Sequence, residues 1–238
     1  MDRLAGAHEL LDGPLDDPRT LAGNLRDLRR VNALLGGVRL SLDAIYALVG
    51  ASAGRSSVVE LLDVGTGGAD IPVALLAEWR RNGRRLAVTA IDDRAEVLAA
   101  ARLASPAIET VEGLRLEVAD GRSLPYDDRA FDVAHTSLVV HHLEPADAVH
   151  LLAEMARVSR RGIVVNDLTR GRIQWLAAWL LALIATRNRY TRHDGPLSVR
   201  RAYTAVEMKA LLAVAGLRPI ATQRDVLRHR YAIAAVRA

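Results

Sequence analysis

Val58-Val59-Glu60-Leu61-Leu62-Asp63-Val64 runs directly into Gly65-Thr66-Gly67-Gly68-Ala69-Asp70, and this junction decides the fold. A short apolar run that ends in glycines fits a strand buried on both faces of a parallel sheet. The glycines allow a sharp turn and a close approach of backbone to ligand. A helix is predicted from about Asp70 to Arg81, with its N-terminus at the turn. Counted from Gly65, the dinucleotide fingerprint G-x-G-x-x-G needs its third glycine where Asp70 stands. A carboxylate is poorly placed beside a pyrophosphate, so the pattern reads instead as acid-x-G-x-G-x-A.

Towards the C-terminus the rhythm repeats. Leu86–Ile91 is a second strand ending at Asp92-Asp93, and Arg94–Leu103 is helical. An acid at that point of an open α/β sheet accepts ribose hydroxyls. Asp92 is the expected ribose ligand, with Asp93 its neighbour or the helix cap. Leu114–Val118 is the third strand, leading into Ala119-Asp120-Gly121, and Phe131–Thr136 is the fourth. Pro145 opens a helix to about Val158, and Gly162–Asp167 is the fifth strand. A strongly apolar helix, Gly171–Thr186, precedes a polar, basic loop over Arg187–Pro196. Thr204-Ala205-Val206-Glu207 is a capping box opening a helix that stops at Gly216. Strands near Leu217–Gln223 and Arg230–Val236 close the chain. The alternation predicts an α/β fold: a Rossmann-like, doubly wound sheet of seven strands, mostly parallel with an antiparallel C-terminal strand.

Towards the N-terminus, residues 18–50 carry leucines at helical spacing, interrupted at Gly36-Gly37, and form a helical cap. Residues 1–17, rich in Asp, Gly and Pro, read as a loose arm. The expected division is 1–50 cap and arm, then 51–238 main domain, with 169–203 as an insertion in it.

Composition narrows the function. Half of the 238 residues are hydrophobic but only 4% are aromatic, so the core is built from Leu, Val, Ile and Ala. The net charge of +4 arises from interspersed charges of both signs, without the basic stripe of a nucleic-acid binder. Absence of cysteine excludes disulfides, thiolate metal sites and cysteine nucleophiles. No spacing of His, Asp and Glu suggests a metal site. The start lacks a secretory pattern, and the apolar stretch Trp175–Ala185 is shorter than the roughly 20 residues a membrane span needs. A cytoplasmic protein without a stable membrane span is expected.

Leu62-Asp63-Val64-Gly65-Thr66-Gly67, Ile91-Asp92, Ala119-Asp120-Gly121, Leu124-Pro125, Phe131-Asp132-Val133 and His141-His142-Leu143 occur in one order. In that order and spacing the chain resembles the class I S-adenosylmethionine-dependent methyltransferases that act on small molecules, of the methyltransferase-11-like type. The resemblance is strongest over residues 55–168. It implies S-adenosyl-L-methionine as cofactor and S-adenosyl-L-homocysteine as product. Gly65, Thr66 and Gly67 would pack against the methionine part, with Asp63 near its amino group. Asp92 would hold the ribose, Asp120 and the Gly121 backbone the adenine, and Thr136 would line the methionine side. The family's Pro-Gly-Gly before strand five is replaced by Ser159-Arg160-Arg161-Gly162.

A sulfonium is an activated donor, so alignment of the acceptor supplies much of the rate. A phenolic acceptor, with pKa near ~10, gains from a base within hydrogen-bond reach. His141 and His142, after strand four, and His193, beside Asp194, are the candidates; His135, inside strand four, reads as a packed core residue. The resemblance implies that the 169–203 insertion roofs the substrate, and its Trp175 and Trp179, one helical turn apart, form an expected wall for an apolar acceptor. Asp167 and Arg192 complete that side. The expected reaction is O-methylation of a small, largely apolar phenol, quinol or polyketide, as in secondary metabolism. C-methylation of a quinone or other ring is the alternative. A non-catalytic cofactor-binding or membrane-associated scaffold is the reading of another kind. Thr136-Ser137-Leu138-Val139 stands where amino-methylating enzymes carry Asn/Asp-Pro-Pro-aromatic, which argues against a nucleic-acid substrate. The apolar helix and the cap are candidate surfaces for a homodimer.

Overall fold

Alternate residues of the first strand, β1 (Val59–Val64), point to opposite sides: Val59 and Leu61 enter one core, Leu62 and Val64 the other. This two-sided burial is why β1 reads as a continuous apolar run rather than an alternating one. The computed structural model describes residues 1–15, 17–50 and 53–238. The domain boundary expected at residue 51 lies outside the described residues.

Around β1 the strands β2 (Leu86–Asp92), β3 (Leu114–Val118), β4 (Phe131–Ser137), β5 (Ser159–Leu168), β6 (Leu217–Arg224) and β7 (Arg230–Arg237) form one sheet. Its order is β3-β2-β1-β4-β5-β7-β6, with β7 antiparallel to both neighbours. The direction of winding reverses between β1 and β4. The crevice beyond the C-terminal ends of those strands is where such sheets bind ligands.

On one face α5 (Pro145–Val158) and α8 (Ala205–Val214) close a core with Leu62, Val64, Ile163 and Ile233. On the other, α2 (Gly37–Val49) and α3 (Asp70–Arg81) cover Leu61, Val88, Val133 and Val164. Thus α2 is part of the main core, whereas α1 (Pro18–Leu34) packs with α4 (Ala95–Ala104) in a third cluster around Leu21, Leu25 and Ala101. The Thr204 capping box forms as its spacing predicts: Thr204 accepts from the Glu207 N–H and Glu207 accepts from the Thr204 N–H.

Three expectations require correction. Residues 1–15 are not a loose arm. A 3₁₀ turn at Leu10–Asp12 is docked, its Leu10 and Leu11 N–H groups donating to the buried Asp194 carboxylate at 2.8 and 3.1 Å. The basic loop is a helix, α7 (Arg189–Arg201), capped by Asn188 and holding Pro196 in its interior. Gly195 and Pro196 disfavour a helix interior, but packing against α6 (Arg172–Ala185) and α1 outweighs one lost backbone hydrogen bond. Finally, β5 begins at Ser159, not Gly162. Between Phe131–Val133 and Ser159–Gly162 the register shifts, and Gly162 takes φ +141°, where an added Cβ would strike the Ala235 carbonyl. The sequence Ser159-Arg160-Arg161-Gly162 is therefore a bulged strand start.

Candidate active site

A cleft of about 430 Å³ opens at the switch point. Its floor is the turn Asp63–Gly68, its sides are Asp92–Arg94 and Ala119–Arg122, and its far wall is Ser137–Val139 with His142 and Leu143. Its roof is α1, through Leu21, Asn24, Leu25, Leu28 and Asn32, joined by Leu11 and Asp12 of the arm.

The floor is shaped by backbone freedom. Gly65 has φ +68°, and a Cβ there would overlap Val139. Over Gly67, the nearest side chain to a virtual Cβ is Leu25 at 3.8 Å, so the absent side chains leave room between floor and roof. Asp92 ends β2 with one oxygen accepting from Gly67 N–H (3.0 Å) and the other from Arg94 N–H (3.2 Å). Burial raises its carboxyl pKa to about 6. The helix cap expected at Asp93 does not form: the N-cap of α4 is Arg94, no side chain caps the helix, and the Arg94 N–H donates to Asp92.

Asp63 is positioned by a buried chain of hydrogen bonds. His135 Nδ1 lies 2.5 Å from Asp63 Oδ1 and its Nε2 lies 2.8 Å from Ser41 Oγ, while Asn166 Nδ2 donates to Ser41 Oγ at 2.8 Å. The consistent assignment has Ser41 donating to Nε2 and Nδ1–H donating to Asp63. These are the elements of a Ser-His-Asp triad, but Ser41 and His135 are fully buried and reach no substrate space. The chain ties α2, β4 and β5 to one carboxylate at the cleft floor. His135 is a core residue, as its sequence context suggested, with this added duty.

Thr136 does not line the cleft: it is fully buried and its hydroxyl donates to the Val64 carbonyl at 2.9 Å. A strand end turned one residue further than the alternation indicated puts Ser137, Leu138 and Val139 at the wall instead. Leu138 holds φ +60°, an uncommon strain for a branched side chain beside a site. Asp120 and Gly121 are at the cleft. Asp120 is exposed, accepts from the backbone and guanidinium of Arg122, and this pairing lowers its pKa.

The acceptor-side candidates separate. His142 is at the wall, its Nδ1 2.8 Å from Asp12 Oδ1. His141 is turned inward, Nδ1 2.7 Å from Asp167 Oδ1, and both are buried away from the cleft. His193 pairs with Asp194 (2.7 Å), also away from the cleft. Trp175 and Trp179 lie on α6, which contributes no residue to the lining. Arg192 donates to the Thr186 and Leu183 carbonyls, closing the end of α6. The residues that sequence reasoning missed are Leu11, Asp12, Asn24, Asn32 and Ser137. Asn32 donates to Asp70 Oδ2 (2.9 Å) and accepts from the buried Arg230, whose pKa burial lowers to about 10. The leucine periodicity of α1 carried a signal that this helix covers an apolar surface, but not which one.

The cleft residues fit an adenosyl amino-acid ligand. Two desolvated carboxylates face it, Thr66 has a buried hydroxyl with no partner, and the glycine floor leaves space that side chains would fill. Residues 62–165, which build this half of the cleft, match the family model described as a methyltransferase domain. The matched segment is a methyltransferase domain, and the fold and cleft are consistent with a class I enzyme that takes S-adenosylmethionine as its cofactor.

Among solved structures, the chain resembles a SAM-dependent methyltransferase from Aquifex aeolicus (18% identity, TM-score 0.63, covering 92% of this chain and 97% of that one). It also resembles human N-acetylserotonin methyltransferase in complex with SAM (17%, 0.64, covering 96% and 61%). A third is the mitomycin 7-O-methyltransferase MmcR (19%, 0.59, covering 93% and 61%). At these identities the likeness is one of fold, and the chain spans only about three fifths of the latter two. No curated protein matches the chain in sequence.

Proposed function

We propose that the chain methylates an oxygen of a small, largely apolar hydroxylated acceptor such as a phenol, quinol or polyketide. The carrying observation is the composition of the cleft. Carboxylates crowd its floor, while Leu11, Leu25, Leu28, Val139 and Leu143 line its roof and far wall, with one imidazole, His142, among them. Two of the structural relatives named above, the mitomycin and N-acetylserotonin enzymes, bear small-molecule acceptors in their names, which supports the same choice.

In this reading Asp92 accepts the two ribose hydroxyls, Asp63 takes the amino group, and Gly65, Thr66 and Gly67 lie along the methionine chain. Asp120 and the Gly121 backbone take the adenine. The cofactor supplies an activated methyl group on a sulfonium. The protein's task is then to hold the acceptor in line and to assist loss of its proton. Of the 1–50 segment, the arm and α1 lie above the acceptor in place of the 169–203 segment, while α2 completes the core of the 51–238 domain. His142 is the proton acceptor: Asp12 takes its Nδ1–H and leaves Nε2 basic.

The test is turnover of a panel of phenols, quinols and hydroxylated polyketides with methyl-labelled cofactor. The product's methyl is then located by mass spectrometry and NMR. Label on oxygen is the expected result. Label on ring carbon, or none on any hydroxylated acceptor despite cofactor binding, overturns the proposal.

A further inference from the structure

Three side chains from distant parts of the sequence converge beside the cleft: Glu9 of the arm, and His141 and His142 of the turn after β4. Their donor atoms all lie within 4.8 Å of one another. His141 Nε2 is 3.8 Å from Glu9 Oε1, and His142 Nε2 is 3.7 Å from Glu9 Oε2. Two donors each about 2.1 Å from one ion at a tetrahedral angle lie roughly 3.4 Å apart, so the set is nearly at ligating spacing.

The surroundings match what metal-bound histidines require. Each imidazole has its Nδ1 on a carboxylate, His141 on Asp167 and His142 on Asp12. That arrangement fixes both tautomers with the Nε2 lone pairs directed at Glu9, the carboxylate–histidine pattern of zinc sites. Glu9 is almost fully buried and its Oε1 has no hydrogen-bond partner. A buried, unpartnered carboxylate oxygen is costly in a finished core. The charge balance points the same way. Glu9, Asp12, Asp167 and Asp194 gather here against one bonded guanidinium, Arg201. Arg201 stands 3.5 Å from Glu9 Oε1 but directs its shorter hydrogen bonds to Asp12 and the His142 carbonyl.

We infer that Glu9, His141 and His142 form a binding site for a zinc-class divalent cation, which fastens the arm to the wall of the cleft. Two imidazoles and one carboxylate suit Zn²⁺ and its first-row neighbours rather than Mg²⁺ or Ca²⁺, which prefer oxygen-only sets. Without the cation, burial pushes the Glu9 carboxyl up to about 7. Its place at the acceptor end rests on the O-methylation reading, but the site itself does not. With the cation seated, Nε2 of His142 is a ligand, so the proton-acceptor role proposed above belongs to the metal-free chain alone.

The experiment uses the full chain, stripped with chelator and reloaded with Zn²⁺ or Co²⁺. Expected are one ion per chain after gel filtration, visible Co²⁺ absorption of a four-coordinate site, and a raised Tm. Glu9→Gln and His142→Gln should each weaken the affinity at least tenfold, while substitution of the exposed His150 on α5, His150→Gln, should not. If a variant does not fold, histidine-modification mass spectrometry of the unaltered protein decides: Zn²⁺ should shield His142 and leave His150 reactive. Substoichiometric metal, or binding and shielding indifferent to these positions, overturns the site. Metal bound as described without methyl transfer to any hydroxylated acceptor overturns the O-methylation reading alone.

Discussion

Asp92 shows how one carboxylate sets opposite pH trends. In the ligand-free chain, burial raises it from 3.8 to about 6, so the folded form binds the proton more tightly than the unfolded one. Its contribution to stability is then greatest below pH ~4, falls as pH rises towards about 6, and is lost above, by up to roughly 3 kcal/mol. The difference in unfolding free energy between the native chain and Asp92→Ala, measured by denaturant across pH 4 to 8, should trace that fall. Cofactor affinity should move the other way, because hydroxyl groups donate best to the ionised carboxylate. Calorimetry with S-adenosylhomocysteine should find weaker binding below about pH 6, and at pH 8 a loss on the order of 10- to 100-fold in Asp92→Ala, as expected for hydrogen bonds to a charged group. Undiminished affinity in that variant would overturn the proposed contact of Asp92 with the ribose. This residue was legible from its place after the second strand. The inward turn of Thr136 was not, because one residue of strand length changes which side chain emerges at the wall.

At the scale of elements, the polar strut Asn166–Ser41–His135–Asp63 connects the cap helix α2 with three strands. Ser41→Ala leaves His135 Nε2 without its donor in a dry core, at a cost of about 1–3 kcal/mol. Thermal unfolding should show it, and weaker cofactor binding should accompany it as Asp63 loosens. The strands and α3–α5 were readable because period and glycine punctuation agree there. The α7 segment was not: Gly195-Pro196 dominates its local signal, while the contacts that override it come from α1 and α6, far away in sequence. The same reason hid the cluster around Glu9, since no spacing within the chain brings residue 9 near residue 141.

For the molecule as a whole, α6 is the exception to the burial rule. Its Ile173, Trp179 and Ile184 are exposed, and Ala182 is its only buried residue. So many large apolar side chains exposed on one helix are uncommon on a soluble surface. Because Ile184 is 81% exposed, Ile184→Asp should change the unfolding free energy by no more than ~0.5 kcal/mol while improving solubility. A larger loss would mean that α6 is buried in solution. No single helix among the described residues is long and apolar enough to cross a membrane.

The roof of the cleft lies over its floor at Leu25 and Gly67. Whatever rests on the floor is thus also sandwiched by the first third of the cap, and occupancy and cap order become one equilibrium. Arg26, Arg29 and Arg30 on α1 are trypsin sites, so the cleavage rate there should drop when S-adenosylhomocysteine is added, by a factor tracking ligand saturation. Nicking of α1 would in this way report how fully the roofed cleft is occupied.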